Sequence, residues 1–483
     1  MQVNSLIFWA FFIIVLVPYF TFLRKSSKAQ NVWLLIASYF IFGYSEIKML
    51  PVIFLATVIF YFLGIQVEKE NEERPKRASW LTTLGIVVGV GILVYFKYLN
   101  FLIEEFSSLM SSLGFQVNEH STKIVMLLGV SYFTFKLMGY LISVHRGDMK
   151  ACKDPISFAV FVAFFPTLMA GPIDRAHQFI PQLESSRKFE YDNVAEGARR
   201  IVWGMFMKMC ISDRLCPYID AVFNNYQSHS AISILLASIF YFFQAYTDFC
   251  GYSNMAIGVA RIMGIKVREN FNRPYMAQNI AELWRRFHMS LTTWITDYIF
   301  MPLNVSFRNL GVWGLYLATF INMVVVGAWH GANWTFVLFG LYQGLIVSII
   351  SAIEKPRKKF EKKHKLKDKW YYVWPRRILT WIAFGFGTTI FRANSVGDFF
   401  GMLSKFGEGF GSLYTENLVY IFALAVPAII ILFLKELKDE KNLNIHFLHS
   451  DKQWVRIVSF AAIVLFILLT GELNGPAFIY YQF

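Results

Sequence analysis

The sequence predicts an all-α fold: a polytopic membrane protein of about 11–13 transmembrane or re-entrant helices. Three observations point there. The 483 residues are 56% hydrophobic and only 16% charged, with a mean hydropathy of +0.45, whereas soluble domains average roughly 45–50% apolar and 25% charged. Phe, Tyr and Trp make up 18% of the chain, which suits lipid-facing surfaces and interfacial belts better than a soluble core. Uncharged apolar runs also recur along its length, several of them long enough to cross a hydrocarbon layer about 30 Å thick.

Apolar windows place spans near 5–23, 31–45, 49–66, 80–97 and 122–142, then 155–170, 197–211, 231–247 and 312–329, and finally 333–352, 375–391, 416–435 and 454–471. Several are expected to be half-spans. The first run has no basic n-region and no small-residue cleavage site, and Arg24, Lys25 and Lys28 follow it. It therefore reads as a span that starts outside, not as a cleaved signal. Basic residues cluster again at 69–77 and 146–153, which assigns all three connections to the cytoplasm. The formal net charge is +14, but eleven Lys/Arg of the total fall within 355–377 beside Glu361 and Asp368. A basic loop between spans is first a positive-inside signal and next a contact for anionic membrane lipids; no nucleic-acid partner is expected. Cys152, Cys210, Cys216 and Cys250 lack CxxC spacing and read as small buried hydrophobes.

The middle of the chain mixes spans with segments too polar to cross lipid. In NIAELWRRFHMSLTTWITDYIFMPL (279–303), Glu282, Arg285, Arg286 and Asp297 would each cost about 2.5–3.5 kcal/mol at a helix centre, so a re-entrant or interfacial segment is expected. Asn279 and Glu282 have capping-box spacing, and Trp284, His288, Leu291 and Ile295 fall on one helical stripe that points His288 into protein. Upstream, Asp248, Gly251 and Asn254 lie in TDFCGYSNMAIGVARIMG (247–264), and ENFNRPY (269–275) is turn-like. Irregular backbone at membrane depth is tolerated only where protein or a water-filled cavity surrounds it, so an internal cavity is expected here. Gly171-Pro172 breaks a helix and sets Asp174 and Arg175 at its mouth.

His330 ends an uncharged apolar run from Val312 to Trp329, within VWGLYLATFINMVVVGAWHGANW (312–334). Intramembrane ionisable groups are costly and default to function, and desolvation favours the neutral imidazole that a general base requires. Small Gly331 and Ala332 leave room beside it, and Asn333 is placed to orient a reacting group. Trp329, Asn333, Asp248, Arg285 and Arg286 are the candidate substrate contacts. Arg285 and Arg286 either form a buried ion-pair network with Asp297 or hold an anionic donor through the guanidinium fork. The remaining histidines, His120, His145, His177, His229, His364, His446 and His449, fall in polar or loop contexts. No HExxH pair or carboxylate triplet is present, so no metal is expected. The absence of GxSxG and P-loop patterns argues against a self-contained serine hydrolase or a nucleotide-driven pump. In the terminal GPAFIYYQF, Tyr480 is a candidate acyl relay, since a phenol oxygen can hold an acyl group temporarily.

Several strings together resemble a known family: GVSYFTFKLMGYLISVHRG (129–147), FFPTLMAGPIDRAHQFIPQL (164–183), DFCGYSNMAIG (248–258), ENFNRPY, the 284–303 part of the polar segment, AWHGANWTFVLFGLYQG (328–344), FGTTIFRA (386–393) and FIYYQF. In this order, from about residue 90 to the end, they are similar to the membrane-bound O-acyltransferase family, and most to its bacterial alginate O-acetylation branch. The resemblance implies a multi-helix fold around a central tunnel, a catalytic histidine at His330 and its frequent companion at His288. It further implies a cytoplasmic thioester donor, acetyl-CoA, a polysaccharide acceptor, and a periplasmic partner of the SGNH O-acetyltransferase type. After MPL the chain reads NVSFRNLG where that branch has a Gly-Gly-Asn-Arg loop, which leaves the particular polysaccharide and partner open.

The expectation is a single membrane domain over 1–483, with a family-like core at about 90–395, C-terminal spans over 416–471 and an aromatic tail at 475–483. It lies in a bacterial inner membrane with its N-terminus outside, as an O-acyltransferase for cell-surface or exported polysaccharide. Two alternatives stay open: D-alanyl transfer to teichoic acid from an acyl-carrier protein, and a proton-coupled transporter using His330 and Asp248.

Overall fold

The computed structural model describes residues 3–115, 127, 129–443, 447–473 and 475–479, and among these every regular element is helical. Among the described residues seven helices are long and apolar enough to cross a membrane: Ser27–Glu73, Pro75–Ser112, Ala231–Ile262, Val312–His330, Trp334–His364, Leu418–Glu440 and Gln453–Thr470. The last buries only Ile467, while Ile457, Val458, Leu465, Leu468 and Leu469 are exposed. A helix so apolar with so little protein around it is stable only if lipid covers it. The protein is therefore a multi-pass membrane protein. The first apolar run forms a shorter helix, Leu6–Phe20, with Pro18 inside it. The 155–170 window breaks into Pro155–Ala163 and Phe165–Leu168, because Pro166 cannot continue the first helix.

The described residues form two compact units, one of 1–200 with 256–268 and the other of 201–255 with 269–483. At the heart of the first is Val130–His145, in which all but Ile142 and His145 are buried. One end of this unit is a polar seam. Gln30 Nε2 donates to the Arg187 carbonyl at 2.8 Å, Arg187 donates to Asn31 Oδ1 at 2.7 Å, and Asn31 donates to Ser157 Oγ at 3.1 Å. Asp154 caps the helix that starts at Pro155 and takes the Ser157 hydroxyl at 2.6 Å. Next to it Lys153 pairs with Glu68, and Asn71 donates to the Val144 carbonyl at 3.1 Å. The connections at 69–77 and 146–153 thus meet, and the helix that follows 24–28 joins the same seam through Gln30 and Asn31.

In the second unit the Val312–His330 and Trp334–His364 helices form a tight hairpin. A Cβ on Gly327 would lie 2.6 Å from the Gly340 Cα, and one on Gly340 would lie 2.9 Å from the Met323 carbonyl oxygen. Backbones approach so closely only where both faces lack side chains. The basic stretch expected as a loop is mostly helix: Trp334–His364 runs on through Lys355–Lys363, and the next helix starts at Trp370. Intrahelical pairing favours this extension, with Lys358 on Glu354 at 2.8 Å and Arg357 near Glu361 at 3.7 Å. The irregular backbone expected over 247–264 is also helical, since Ala231–Ile262 is continuous. Gly251 explains why a glycine suits that helix: its Cβ would lie 2.8 Å from the Gly204 carbonyl oxygen, so two backbones cross there.

Candidate active site

The polar segment 279–303 does not form one helix. Asn279 caps Ile280–Arg286 through its Oδ1, which accepts the Glu282 N–H at 2.9 Å, as the spacing predicts. The helix then stops, and His288 adopts a left-handed conformation (φ 48°, ψ 49°) before Met289–Ile295 begins. The expected continuous stripe is therefore broken at His288, although Trp284, His288, Leu291 and Ile295 are all buried.

Asn270 accounts for the break. Its carbonyl accepts the Met289 N–H at 2.8 Å, and its Oδ1 accepts the Ser290 N–H at 3.2 Å and the Ser290 hydroxyl at 2.8 Å. The Asn270 Nδ2 donates to Ser253 Oγ at 3.2 Å. With Oδ1 so committed as an acceptor, the His288 Nδ1 at 3.1 Å is the donor. That selects the tautomer with the lone pair on Nε2. His288 is fully buried and lies outside every candidate span; burial, and secondarily the His330 imidazole, hold it well below the ordinary histidine range.

His330 is the last residue of Val312–His330 and is also buried. The Trp329 ring joins the two histidines, with its centroid 5.8 Å from that of His288 and 5.1 Å from that of His330. Phe391, 5.1 Å from His330, and Phe339, at 6.3 Å, complete an aromatic surround. Phe249 meets His288 edge to face at 4.5 Å. Among the described residues these are the only two buried histidines. Such a site offers imidazole nitrogens for proton transfer in surroundings that exclude water.

The other sequence candidates are placed differently. Asn333 caps Trp334–His364, accepting the Thr335 N–H at 2.9 Å and donating to the Asn394 carbonyl at 3.0 Å. Arg285 is exposed. Arg286 pairs with Glu282 at 2.8 Å and with Glu440 at 2.9 Å, carboxylates other than the expected Asp297. Asp248 forms a buried ion pair with Lys208 at 2.6 Å. Tyr480, His120 and His446 lie outside the described residues. In the first unit Asp174 accepts the Arg268 N–H at 3.0 Å and lines a cavity of about 520 Å³ with Gln178, Gln182, Lys266 and Arg268. Sequence reasoning passed over Asn270, Phe249 and Lys208. A lone lysine inside IVWGMFMKMCIS deserved the same suspicion as His330, since both are ionisable groups in apolar runs.

The model of the membrane-bound O-acyltransferase family matches residues 153–391. The chain is 36% identical over 345 residues to the probable alginate O-acetylase AlgI of Azotobacter vinelandii, covering 71% of this chain and 68% of that one. It is 30% identical over 409 residues to the peptidoglycan O-acetyltransferase of Helicobacter pylori, covering 77% and 72%. To the teichoic acid D-alanyltransferase of Bacillus subtilis it is 31% identical over 252 residues, covering 49% and 62%. This chain belongs to the membrane-bound O-acyltransferase family and is an O-acyltransferase.

Proposed function

We propose that the protein transfers an acetyl group from a cytoplasmic thioester donor, acetyl-CoA, for O-acetylation of a cell-surface or exported polysaccharide, with His330 as general base and His288 as its companion. The observation that carries this reading is the meeting of two buried imidazoles on Trp329, one of them oriented by Asn270. His330 takes the proton of an acceptor hydroxyl as its oxygen attacks the thioester carbonyl. The tetrahedral intermediate collapses, the carbon–sulfur bond breaks, and the CoA thiolate leaves and recovers the proton. General base catalysis supplies typically about 10²–10⁴-fold of such a rate, with positioning and exclusion of water adding to it.

The acceptor hydroxyl belongs to Tyr480 as a relay, to a sugar, or to a serine of a periplasmic SGNH-type partner that esterifies the polysaccharide. Trp329, Asn333, Arg285 and Arg286 hold the substrates or the walls around them; Asp248, the other expected contact, is held by Lys208. The meeting of the basic connections 69–77 and 146–153 in the first unit, together with the basic run at 24–28, supports a bacterial inner-membrane protein with its N-terminus outside. The basic run 355–377 concentrates the anionic donor.

Two O-acetyl-transferring relatives cover more of the chain than the D-alanyl relative does, which favours acetyl as the acyl group. Purified protein given radiolabelled acetyl-CoA or a D-alanyl carrier protein distinguishes the donors. Label transfer from acetyl-CoA alone is expected, and transfer from the D-alanyl carrier alone would replace this reading.

A further inference from the structure

The described residues near the C-terminus are tied to a buried charge cluster that the chemistry above leaves without a role. Lys208 Nζ lies 2.7 Å from Asp213 Oδ1 and 2.6 Å from Asp248 Oδ1, and all three side chains are buried. The same ammonium donates to the Pro476 carbonyl at 3.1 Å. Asp248 Oδ2 accepts the Ile479 N–H at 2.7 Å, and its Oδ1 accepts the Ser212 hydroxyl at 3.2 Å. Gly475 sits so close to the Asp213 carboxylate that any Cβ would collide with it. Each of the three charges therefore touches the segment 475–479.

The other face of this segment meets the candidate site. Phe478 is buried, stacked on Tyr252 at 4.8 Å and 5.7 Å from Phe249, the ring whose edge contacts His288 at 4.5 Å. Asp248 and Phe249 are sequence neighbours, so one helical turn both anchors the strap and bears on the imidazole. Upstream, Arg214 donates to the Thr470 carbonyl at 2.7 Å and the Glu472 N–H donates to the Met209 carbonyl at 3.0 Å, which brings the chain down to the cluster. A buried ion cluster is weak evidence for stability, because apolar residues often serve as well. Its fit to two backbone groups of one strap gives it a more specific use.

We infer that Lys208, Asp213 and Asp248 form a latch that seats the C-terminal strap 475–479 against the aromatic wall of His288, which makes Lys208 and Asp248 positioning residues for acyl transfer. The inference rests on the reading of His288 and His330 as the transfer site. With the latch open, Phe478 leaves Phe249, and the ring that confines His288 loses its support. Misplacement of a reacting group by about 1 Å lowers turnover by about 10²-fold. Donor affinity is expected to stay unchanged, since the three charges are committed to one another and to the strap.

The test uses full-length protein in detergent, with hydrogen–deuterium exchange over 475–478 and thiol release from acetyl-CoA as readouts. Lys208→Met and Ile479→Pro are compared with Lys208→Arg and wild type. Ile479→Pro removes the N–H that Asp248 accepts, together with a buried apolar side chain, and leaves every charge its ion-pair partner, so it decides the matter if Lys208→Met fails to insert. Faster exchange over 475–478 in both disruptive variants, with kcat lowered about 10²-fold at unchanged KM for acetyl-CoA and both properties restored in Lys208→Arg, supports the latch. A strap still protected in Ile479→Pro, or a released strap with unchanged kcat, overturns it. His330→Ala is run alongside. If its thiol release equals that of wild type, the reading of the transfer site fails, while the exchange arm still decides whether the strap is seated by these charges.

Discussion

His288 donates from Nδ1 to Asn270 Oδ1 across 3.1 Å, and the oxygen that receives it also holds the two donors of Ser290. Asn270 thus sets both the left-handed backbone at His288 and the tautomer of its ring. Replacing Asn270 by Ala removes the acceptor and frees the ring to rotate. Acetyl transfer is expected to fall about 10²-fold in kcat, while Ser290→Ala, which leaves Asn270 in place, costs less. Steady-state kinetics on the two variants check the order, and equal losses would contradict the assignment of Asn270 as the orienting group.

The hairpin that carries His330 depends on the contact of Gly327 with Gly340. Gly340→Val forces a side chain into the Met323 carbonyl and the Val324 backbone. A loss of about 1–3 kcal/mol is expected from such overpacking. Thermal unfolding in detergent measures it, and an unchanged midpoint would show that the two helices separate freely.

Asp174 supplies a pH dependence in the first unit. Burial raises its carboxyl to about 6, with Lys136 and the Arg268 N–H offsetting part of the effect. A carboxyl raised above its unfolded value contributes stability that is full below about pH 4 and lost as pH rises through about 6. Wild type should therefore lose about 1 kcal/mol between pH 5 and pH 8 relative to Asp174→Asn, which carries no charge at either pH. Thermal midpoints of the two proteins across that range give the answer, and parallel curves would refute it.

Tyr480 rests on sequence alone. As an acyl relay, Tyr480→Phe should abolish transfer to the polysaccharide and remove an acetyl-tyrosine from the C-terminal peptide by mass spectrometry. Undiminished transfer would eliminate the relay and leave His330 as base.

The membrane class, the span of His330 and the burial of His288 were legible because lipid imposes long uncharged runs and makes each interior charge stand out. The break at His288 was not, because it is made by Asn270, 18 residues upstream, and the helical stripe of 284–295 carries no sign of that bond. Arg286 was expected beside Asp297, yet it pairs with Glu440, 154 residues away; local spacing cannot report a tertiary partner. The run 355–377 was expected as a loop because its charge is so dense. It is largely helical because Lys and Glu favour helices and pair along them.

His330 is proposed to perform acyl transfer for O-acetylation of an envelope or exported polysaccharide. Mass spectrometry of the glycans from cells carrying wild-type protein or His330→Ala, at matched levels in the membrane, tests it most directly. One class of O-acetyl ester is expected to disappear in the variant while the glycan backbone remains. An ester content in His330→Ala equal to that of wild type would contradict it.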